Sequence, residues 1–264
     1  MKSVIGIFDS GVGGLSVAKA IAEQLPNESL LYVADTAYAP YGDKTAELIY
    51  QRMATISAYL QQHGAKAIVV ACNTATTAAI AQLRAEFNLP IIGVEPGIKP
   101  AVQVSRSGVV GVLATPRTIQ NPAFTALSSR VAADTKVIMQ PCAELVAQIE
   151  ALQLNSELMF SLLQRYIAPV IAQGADTLVL GCTHYNFIAE QIQQVANELS
   201  SVNVSIVRTE QAVAQELKRR LERSALLLHK PETKTEKFVT SGDVALFNAQ
   251  LNRLWRAGTL AQKL

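Results

Sequence analysis

Hydrophobic and polar positions alternate in blocks that predict a regular succession of strands and helices. The first apolar run, residues 4–8, predicts a short buried strand, and the amphipathic stretch 14–24 predicts a helix that Pro26 ends. A second apolar run at 30–34 predicts another strand, and residues 45–63 predict a long helix. This βαβα order predicts an α/β fold with a parallel sheet and right-handed crossovers.

The second half of the chain repeats the pattern of the first. Residues 107–115 form an apolar run that ends in a small polar residue, as residues 4–10 do. Helical patterns at 143–152 and 157–172 then lead to another apolar run. We therefore predict two similar doubly wound parallel-sheet domains, each an αβα sandwich, related by pseudo-two-fold symmetry with the active site between them.

Domain boundaries follow from the position of this repeat. The stretch 95–100 is rich in proline and glycine, which is typical of a crossing between domains. Helical patterns at 210–222 and 244–255 follow the second half and are expected to return to the first domain. The predicted domains are residues 1–96 with 207–264, and residues 97–206.

Two cysteines occupy matching positions in the two halves, 110 residues apart (182 − 72 = 110). Each follows a Gly-Ala pair and a short apolar run that predicts a buried parallel strand, and each precedes hydroxyl or amide residues. Open α/β sheets bind ligands at this carboxyl end of their strands. Cys72 and Cys182 therefore predict two reactive thiols, although a single cysteine in such a place is often only a small buried hydrophobe. The remaining one, Cys142, has no repeat partner and is assigned to the core or a helix start.

Composition narrows the class of function. Hydrophobic residues make up 50% of the 264 residues, which is enough for sizeable cores. The net charge of +2 comes from 23 basic and 21 acidic residues spread along the chain, so neither nucleic acid nor an anionic membrane is expected as a partner. Charged residues interrupt the first apolar segment, and no apolar run approaches bilayer length, so a cytoplasmic protein is expected. The three cysteines favour neither a disulfide framework nor a structural metal.

The glycine-rich segment 6–14 lies between a predicted strand and a helix, as a dinucleotide-binding loop would. Its glycines do not have the dinucleotide spacing, and the carboxylate of Asp9 would repel a pyrophosphate. Asp9 suits an ammonium group or a proton carrier, and Ser10 with nearby backbone N–H groups suits a substrate carboxylate. The alternative is that the glycines serve only a tight turn and Asp9 caps the next helix.

Two thiols on opposite sides of one carbon would perform proton transfer. If one thiolate removes a proton and the other thiol returns one from the opposite face, the configuration of the carbon inverts without a cofactor. Such a site needs hydrogen-bond donors where carboxylate charge develops. The candidate donors are Ser10, Asn73, Thr74, Thr183 and the Tyr41–Gly42 backbone. A single thiol with a base such as His184 would instead suggest covalent acyl chemistry, and His184 could also be purely structural.

Four segments together resemble the motif set of the glutamate racemases, cofactor-independent enzymes of the aspartate/glutamate racemase superfamily. They are residues 8–17, 39–42, 71–76 and 181–185, they occur in the family's order, and the similarity extends over almost the whole chain. The resemblance implies interconversion of L- and D-glutamate for peptidoglycan synthesis, no cofactor, no metal, a cytoplasmic location and a homodimer.

The resemblance also implies roles for individual residues. Cys72 and Cys182 match the two acid/base residues, and Asp9 and His184 match their polar partners. The implied substrate contacts are Asp9, Ser10, Tyr41, Gly42, Asn73, Thr74, Thr183 and His184. Further candidates without an assigned role are Asp35, Glu150, Thr115 and Thr118.

The chain departs from the family pattern at Asn186, where proline is expected, and at residues 208–210, where many members have an Asp-Ser pair. Two alternatives stay open at this point. One is an aspartate or other racemase, or a decarboxylase, of the same superfamily, and the other is a sensor that binds an amino acid without turnover. A one-thiol decarboxylase would tolerate loss of one of the two cysteines, whereas a two-thiol racemase would not.

Overall fold

The computed structural model describes residues 3–132, 134–229 and 233–264, which fall into two compact units. The first unit consists of the described residues of 1–94 and 210–264, and the second of those of 95–209. Each unit contains one sheet in which every strand pairing is parallel. The predicted α/β class with two parallel-sheet domains is confirmed.

The strands of the described chain are β1 (Val4–Asp9), β2 (Leu30–Ala34), β3 (Ala65–Val70), β4 (Ile91–Gly93), β5 (Val109–Ala114), β6 (Lys136–Pro141), β7 (Thr177–Leu180), β8 (Ser205–Val207), β9 (Glu236–Thr240) and β10 (Ala261–Lys263). Its α-helices are α1 (Leu15–Gln24), α2 (Ala46–Gln62), α3 (Asn73–Glu86), α4 (Ile98–Val104), α5 (Pro116–Gln120), α6 (Pro122–Ala132), α7 (Leu145–Glu150), α8 (Glu157–Ile171), α9 (Ala189–Leu199), α10 (Glu210–Arg223) and α11 (Val244–Leu254). Short 3-10 helices cover Thr36–Tyr38, Tyr41–Asp43 and Thr183–Ile188.

The first unit has a six-stranded sheet in the order β10-β9-β2-β1-β3-β4. All residues of β1 and β2 are buried, which explains why these strands read as unbroken apolar runs rather than alternating ones. In this register Asp9 lies opposite Ala34, and Phe8 lies opposite Val70. The residues that follow β1, β2 and β3 therefore emerge at one edge of the sheet.

The second unit has a four-stranded sheet in the order β6-β5-β7-β8. Leu113 of β5 lies opposite Leu180 of β7, so the residues that follow these two strands are neighbours. Gly181 comes directly after β7 in a space that admits no side chain. A Cβ atom there would lie 2.8 Å from the Ala114 Cβ and 2.9 Å from the Leu113 carbonyl oxygen.

The elements with clear periodicity lie close to their predicted positions, and the differences concern short or proline-containing elements. The stretch 95–100 was predicted to be a connection, but α4 begins at Ile98 and takes Pro100 into its first turn. Proline is tolerated there because the first N–H groups of a helix have no partner within it. Helices α5 and α6 likewise begin with a proline and were not predicted. None of the helices in the described ranges is long and apolar enough to span a bilayer.

One carboxylate in the second unit holds the turn before β5 against the start of β7. The Asp176 carboxylate accepts hydrogen bonds from the Ser105 hydroxyl and from the backbone N–H groups of Arg106 and Ser107, each at 2.7 Å, and from the Thr177 hydroxyl at 3.0 Å. Partial burial alone would raise the pKa of Asp176, but these hydrogen bonds outweigh it and lower the pKa to about 2. The ionised form therefore stabilises the folded state.

Asp176→Asn is expected to lower the melting temperature of the protein, by an amount equivalent to about 1 kcal/mol, because the amide cannot accept all four hydrogen bonds. Since the folded-state pKa is depressed, the stabilisation is complete above the unfolded-state pKa of about 4 and is lost as pH falls from about 4 toward 2. Thermal unfolding followed by circular dichroism across this range tests both points. Asp134→Asn removes the same charge at an exposed position and is the matched control; equal effects of the two variants would contradict the assignment.

Candidate active site

Cys72 lies two residues beyond the end of β3 and caps the N-terminus of α3. Its Sγ accepts a hydrogen bond from the Ala75 backbone N–H at 3.4 Å, and the residue is 6% exposed. The unpaired N–H groups at a helix start favour a negatively charged acceptor. The strand–turn–helix geometry thus places the Cys72 sulfur where a thiolate is stabilised.

Asp9 and Ser10 lie beside this thiol at the end of β1. The Asp9 Oδ1 accepts hydrogen bonds from the Ser10 backbone N–H at 2.6 Å and from the Ser10 hydroxyl at 3.2 Å, and the Ser10 Oγ lies 3.9 Å from the Cys72 Sγ. Asp9 does not cap α1, because Gly14 holds the N-cap position and no side-chain cap hydrogen bond is present there. Gly14 instead allows close approach, since a Cβ atom on it would lie 2.8 Å from the Asp9 Cβ.

The loop after β2 carries Tyr41 and Gly42 in short 3-10 turns. Tyr41 is buried, and its hydroxyl donates a hydrogen bond of 2.7 Å to Asp35 Oδ2. Burial, and then the Asp35 carboxylate, raise the pKa of Tyr41 well above its ordinary value, so the phenol stays protonated. Arg52 of α2 forms a bidentate ion pair with the same carboxylate, at 2.9 and 3.0 Å.

Asn73 and Thr74 form the first turn of α3 and are both buried. The Asn73 side-chain N–H donates to the Val94 carbonyl oxygen at 3.4 Å, whereas its Oδ1 is buried without a hydrogen-bond partner among the described residues. A buried acceptor without a partner is costly unless a ligand or water satisfies it. Asn73 is therefore suited to a ligand that brings a donor to this position.

Cys182 lies two residues beyond β7, in the second unit, and its partner differs from that of Cys72. Its Sγ lies 3.7 Å from the His184 Nδ1, and the His184 Nε2 lies 2.6 Å from the Glu150 Oε1 at the end of α7. Burial of His184 opposes its protonation, but the Cys182 sulfur and the Glu150 carboxylate outweigh burial, so the pKa of His184 is raised well above its ordinary value. The imidazolium thus provides a positive charge beside the Cys182 sulfur.

A family model described as Asp/Glu/Hydantoin racemase matches residues 5–228 of the chain. The chain belongs to this racemase family. It is 51% identical over 251 residues to a protein of Methylococcus capsulatus named glutamate racemase, which covers 95% of this chain and 91% of that protein. The resemblance to glutamate racemases, which the four motifs indicated, is confirmed, and the chain is an isomerase.

Two solved structures agree with this assignment. The crystal structure of a glutamate racemase isoform from Bacillus anthracis has a TM-score of 0.87 at 32% identity and covers 99% of this chain and 96% of that one. The crystal structure of Escherichia coli glutamate racemase in complex with L-glutamate and the activator UDP-MurNAc-ala has a TM-score of 0.87 at 30% identity, covering 99% and 98%. The fold of the family therefore extends over nearly all of this racemase.

The remaining sequence-based candidates occupy supporting positions in the racemase. Thr183 is buried beside Cys182, and its carbonyl oxygen accepts a hydrogen bond of 3.3 Å from the Asn186 side chain, so asparagine continues the 3-10 helix where proline was expected. Thr115 follows β5 and caps α5 by accepting from the Thr118 N–H at 3.3 Å. Its position beside the end of β7 follows from the parallel register of the two strands.

The third cysteine, Cys142, lies in a buried, hydrogen-bonded position. Cys142 is fully buried, its Sγ donates to the Gln140 carbonyl oxygen at 3.4 Å, and its own carbonyl accepts a hydrogen bond from the Tyr185 hydroxyl at 3.0 Å. Burial raises the pKa of Cys142, which keeps the thiol protonated. Burial thus dominates the surroundings of Cys142, over the hydrogen bonds with the Ala114 backbone and Tyr185 that favour a thiolate.

Neither Arg52 nor the role of Glu150 was predicted from the sequence. Arg52 lies on an amphipathic helix with several polar residues, where an arginine normally indicates solvent exposure. Glu150 lies 34 positions from His184, so no local motif connects them. No signal in a single sequence distinguishes either residue from ordinary surface charge.

Glu150→Gln is expected to lower the pKa of His184, because the variant loses the carboxylate that stabilises the imidazolium. The chain contains only three histidines, so a proton NMR titration of the imidazole signals can follow each one, with His63 and His229 as internal references. Glu144→Gln, at an exposed position just before the same helix, is the matched control. A His184 titration that coincides in wild type and Glu150→Gln would refute this coupling.

Proposed function

We propose that this racemase interconverts L-glutamate and D-glutamate by proton transfer between the α-carbon and two thiols, Cys72 and Cys182. The observation that carries the proposal is the environment of the thiols. Each lies beyond the carboxyl end of a central strand beside a group that stabilises negative charge, which is the Ala75 N–H for Cys72 and the His184 imidazolium for Cys182. At the third cysteine, burial outweighs the hydrogen bonds with the Ala114 backbone and Tyr185 that favour a thiolate, and the pKa of Cys142 is raised.

The proposed step exchanges one C–H bond for another. A thiolate removes the α-hydrogen as a proton and becomes a thiol, while the electron pair of the C–H bond delocalises into the carboxylate. The other thiol then donates its proton to the opposite face of the carbon and becomes a thiolate. The product has the inverted configuration, and no electrons are gained or lost. Before a second turnover in the same direction, the first cysteine must lose its proton and the second must regain one.

Stabilisation of the carbanion decides the rate of this reaction. The α-hydrogen of an amino acid is far less acidic than a thiol, whose ordinary pKa is about 8.5, so hydrogen-bond donors must stabilise the charge that develops on the carboxylate. The candidate donors are Ser10, Asn73, Thr74, Thr183 and the Tyr41–Gly42 backbone. Asp9 lies within the same edge of the first sheet and is suited to the substrate ammonium group.

Glutamate is the substrate that the relatives favour. Proteins of 45–51% identity to this chain are named glutamate racemase, and the related Escherichia coli structure contains L-glutamate. An aspartate racemase or a decarboxylase is not favoured by this comparison. We further propose, from the family resemblance, that the product D-glutamate supplies peptidoglycan synthesis in the cytoplasm and that the enzyme acts as a homodimer without a cofactor.

Loss of either Cys72 or Cys182 is expected to abolish racemisation. Cys72→Ala and Cys182→Ala should each lower kcat/KM by at least about a hundredfold, since general acid/base catalysis contributes about 10²–10⁴-fold per group. The measurement is the conversion of each glutamate enantiomer in deuterated water, followed by circular dichroism and by loss of the α-proton signal in NMR. Aspartate is included as a second substrate.

Cys142→Ala is the matched control for these variants, because it removes a buried thiol from the second unit without removing a proposed acid/base group. It should retain activity close to that of the wild type. Retention of α-protium and of optical rotation by wild-type enzyme incubated with glutamate would contradict the proposed function, and faster conversion of aspartate would contradict the proposed substrate.

Asp9→Asn and His184→Gln are expected to change the primary deuterium isotope effect unequally in the two directions of racemisation, because Asp9 lies beside Cys72 and His184 beside Cys182. Each variant weakens one thiol, which acts as the base in one direction and as the acid in the other. The measurement is the primary deuterium isotope effect on kcat/KM, with α-deuterated L- and D-glutamate as substrates. Isotope effects that change equally in both directions for both variants would argue against this division of roles.

A further inference from the structure

The ion pair between Arg52 and Asp35 lies behind the loop that carries Tyr41 and Gly42. Asp35 is fully buried, directly after β2, and its backbone N–H donates a hydrogen bond of 2.9 Å to the Asp9 carbonyl oxygen. The Arg52 guanidinium binds both carboxylate oxygens of Asp35, and its side chain is only 15% exposed. This pair is thus a buried, well-formed fork rather than a surface salt bridge.

Arg52 contacts the loop at a second point. Its guanidinium carbon lies 4.0 Å from the centre of the Tyr38 ring, in a cation–π geometry. Through Asp35 it also reaches the hydroxyl of Tyr41. One side chain of α2 therefore connects both short 3-10 turns of the loop.

The start of the loop is held by the strand that returns from the C-terminal part of the chain. The Thr36 and Thr240 hydroxyls lie 2.7 Å apart, and the Ala37 backbone N–H donates to the Ser241 hydroxyl at 3.1 Å. Short 3-10 turns have weak internal hydrogen bonds, so these external contacts and the Arg52 network decide where the loop lies. Near Tyr41 and Gly42, the Tyr41 ring packs in the hydrophobic core of the first unit, and Asp35 with Arg52 supplies the polar contact to its hydroxyl.

The positive charge of Arg52 also neutralises the Asp35 carboxylate. Without Arg52, the Asp35 carboxylate would be a buried anion whose charge no described ion pair balances, next to Tyr41. Glutamate carries a net negative charge at neutral pH, so an uncompensated carboxylate beside its proposed binding loop would repel it. The fork cancels this charge and leaves the loop compatible with an anionic substrate.

We propose that Arg52 is a positioning residue that acts through Asp35 and Tyr41 to hold the Tyr41–Gly42 loop in its substrate-binding conformation. The role in substrate binding rests on the proposed function, whereas the role in loop conformation does not. Lysine cannot replace arginine here, because a single ammonium group can neither form the fork nor stack on Tyr38 in the same way.

The test uses Arg52→Met, Arg52→Lys, Tyr41→Phe and the double variant Arg52→Met/Tyr41→Phe. Arg84→Met is the control, since Arg84 is an exposed arginine of the same unit that donates to the Ile91 carbonyl oxygen at 3.1 Å. Hydrogen–deuterium exchange of the amides in residues 36–43 measures the loop conformation. Steady-state kinetics with both glutamate enantiomers measure KM and kcat, and thermal unfolding measures the stability of each variant.

Arg52→Met is expected to raise KM about tenfold for both enantiomers and to leave kcat within about twofold, the pattern of a lost binding interaction rather than a lost catalytic one. Arg52→Lys should raise KM by a smaller factor, about threefold. Both should accelerate amide exchange in residues 36–43, and Arg84→Met should change neither property. Because Arg52 acts through Tyr41, the increase in KM in the double variant should be smaller than the product of the two single increases.

Unchanged amide exchange in residues 36–43 together with an unchanged KM in Arg52→Lys would overturn the proposal. Because Arg52→Lys keeps the positive charge, it still provides this test if Arg52→Met does not fold. Multiplicative effects in the double variant would also overturn it, because Arg52 would then act independently of Tyr41. A wild-type enzyme that does not racemise glutamate would contradict the proposed function alone, since the exchange rates of residues 36–43 report on the loop without any substrate.

Discussion

Parallel pairing of strands brings the carboxyl ends of neighbouring strands to one edge of each sheet, and the position of each proposed functional group depends on this constraint. In the first unit the register of β1 with β2 and β3 places Asp9, Asp35 and the turn to Cys72 side by side. In the second unit the register of β5 with β7 does the same for Thr115 and Cys182. Glycine at positions 14 and 181 is required because these edges are too closely packed for a Cβ atom.

The two thiols use different means to stabilise negative charge. Cys72 receives a backbone N–H from the start of α3, whereas Cys182 has a buried histidine whose charge Glu150 supports. A helix N–H is a fixed dipole that no pH change removes, but an imidazolium can lose its proton. A reaction that is symmetrical in its substrate and product is thus assigned to two chemically unequal groups.

Long, strongly periodic elements could be predicted from the sequence, whereas some of the short ones could not. Helices such as α2 and α8 span enough turns for an apolar face to be evident, while β8 and β10 have three residues each and no measurable period. Helices α4, α5 and α6 were missed or misplaced because proline near a helix start resembles a loop signal.

The sequence by itself determined that each thiol follows a predicted strand, and it determined polar residues near the site. Ser10 follows Asp9 directly, and His184 lies two positions after Cys182. These relations are set within a single strand-to-helix connection, which local pattern encodes. Only the tertiary structure decided that Arg52 pairs with Asp35, 17 positions away, and that Glu150 pairs with His184, 34 positions away. Such contacts depend on how separate helices pack on a sheet. The type of a charged residue does not indicate which distant residue will become its partner.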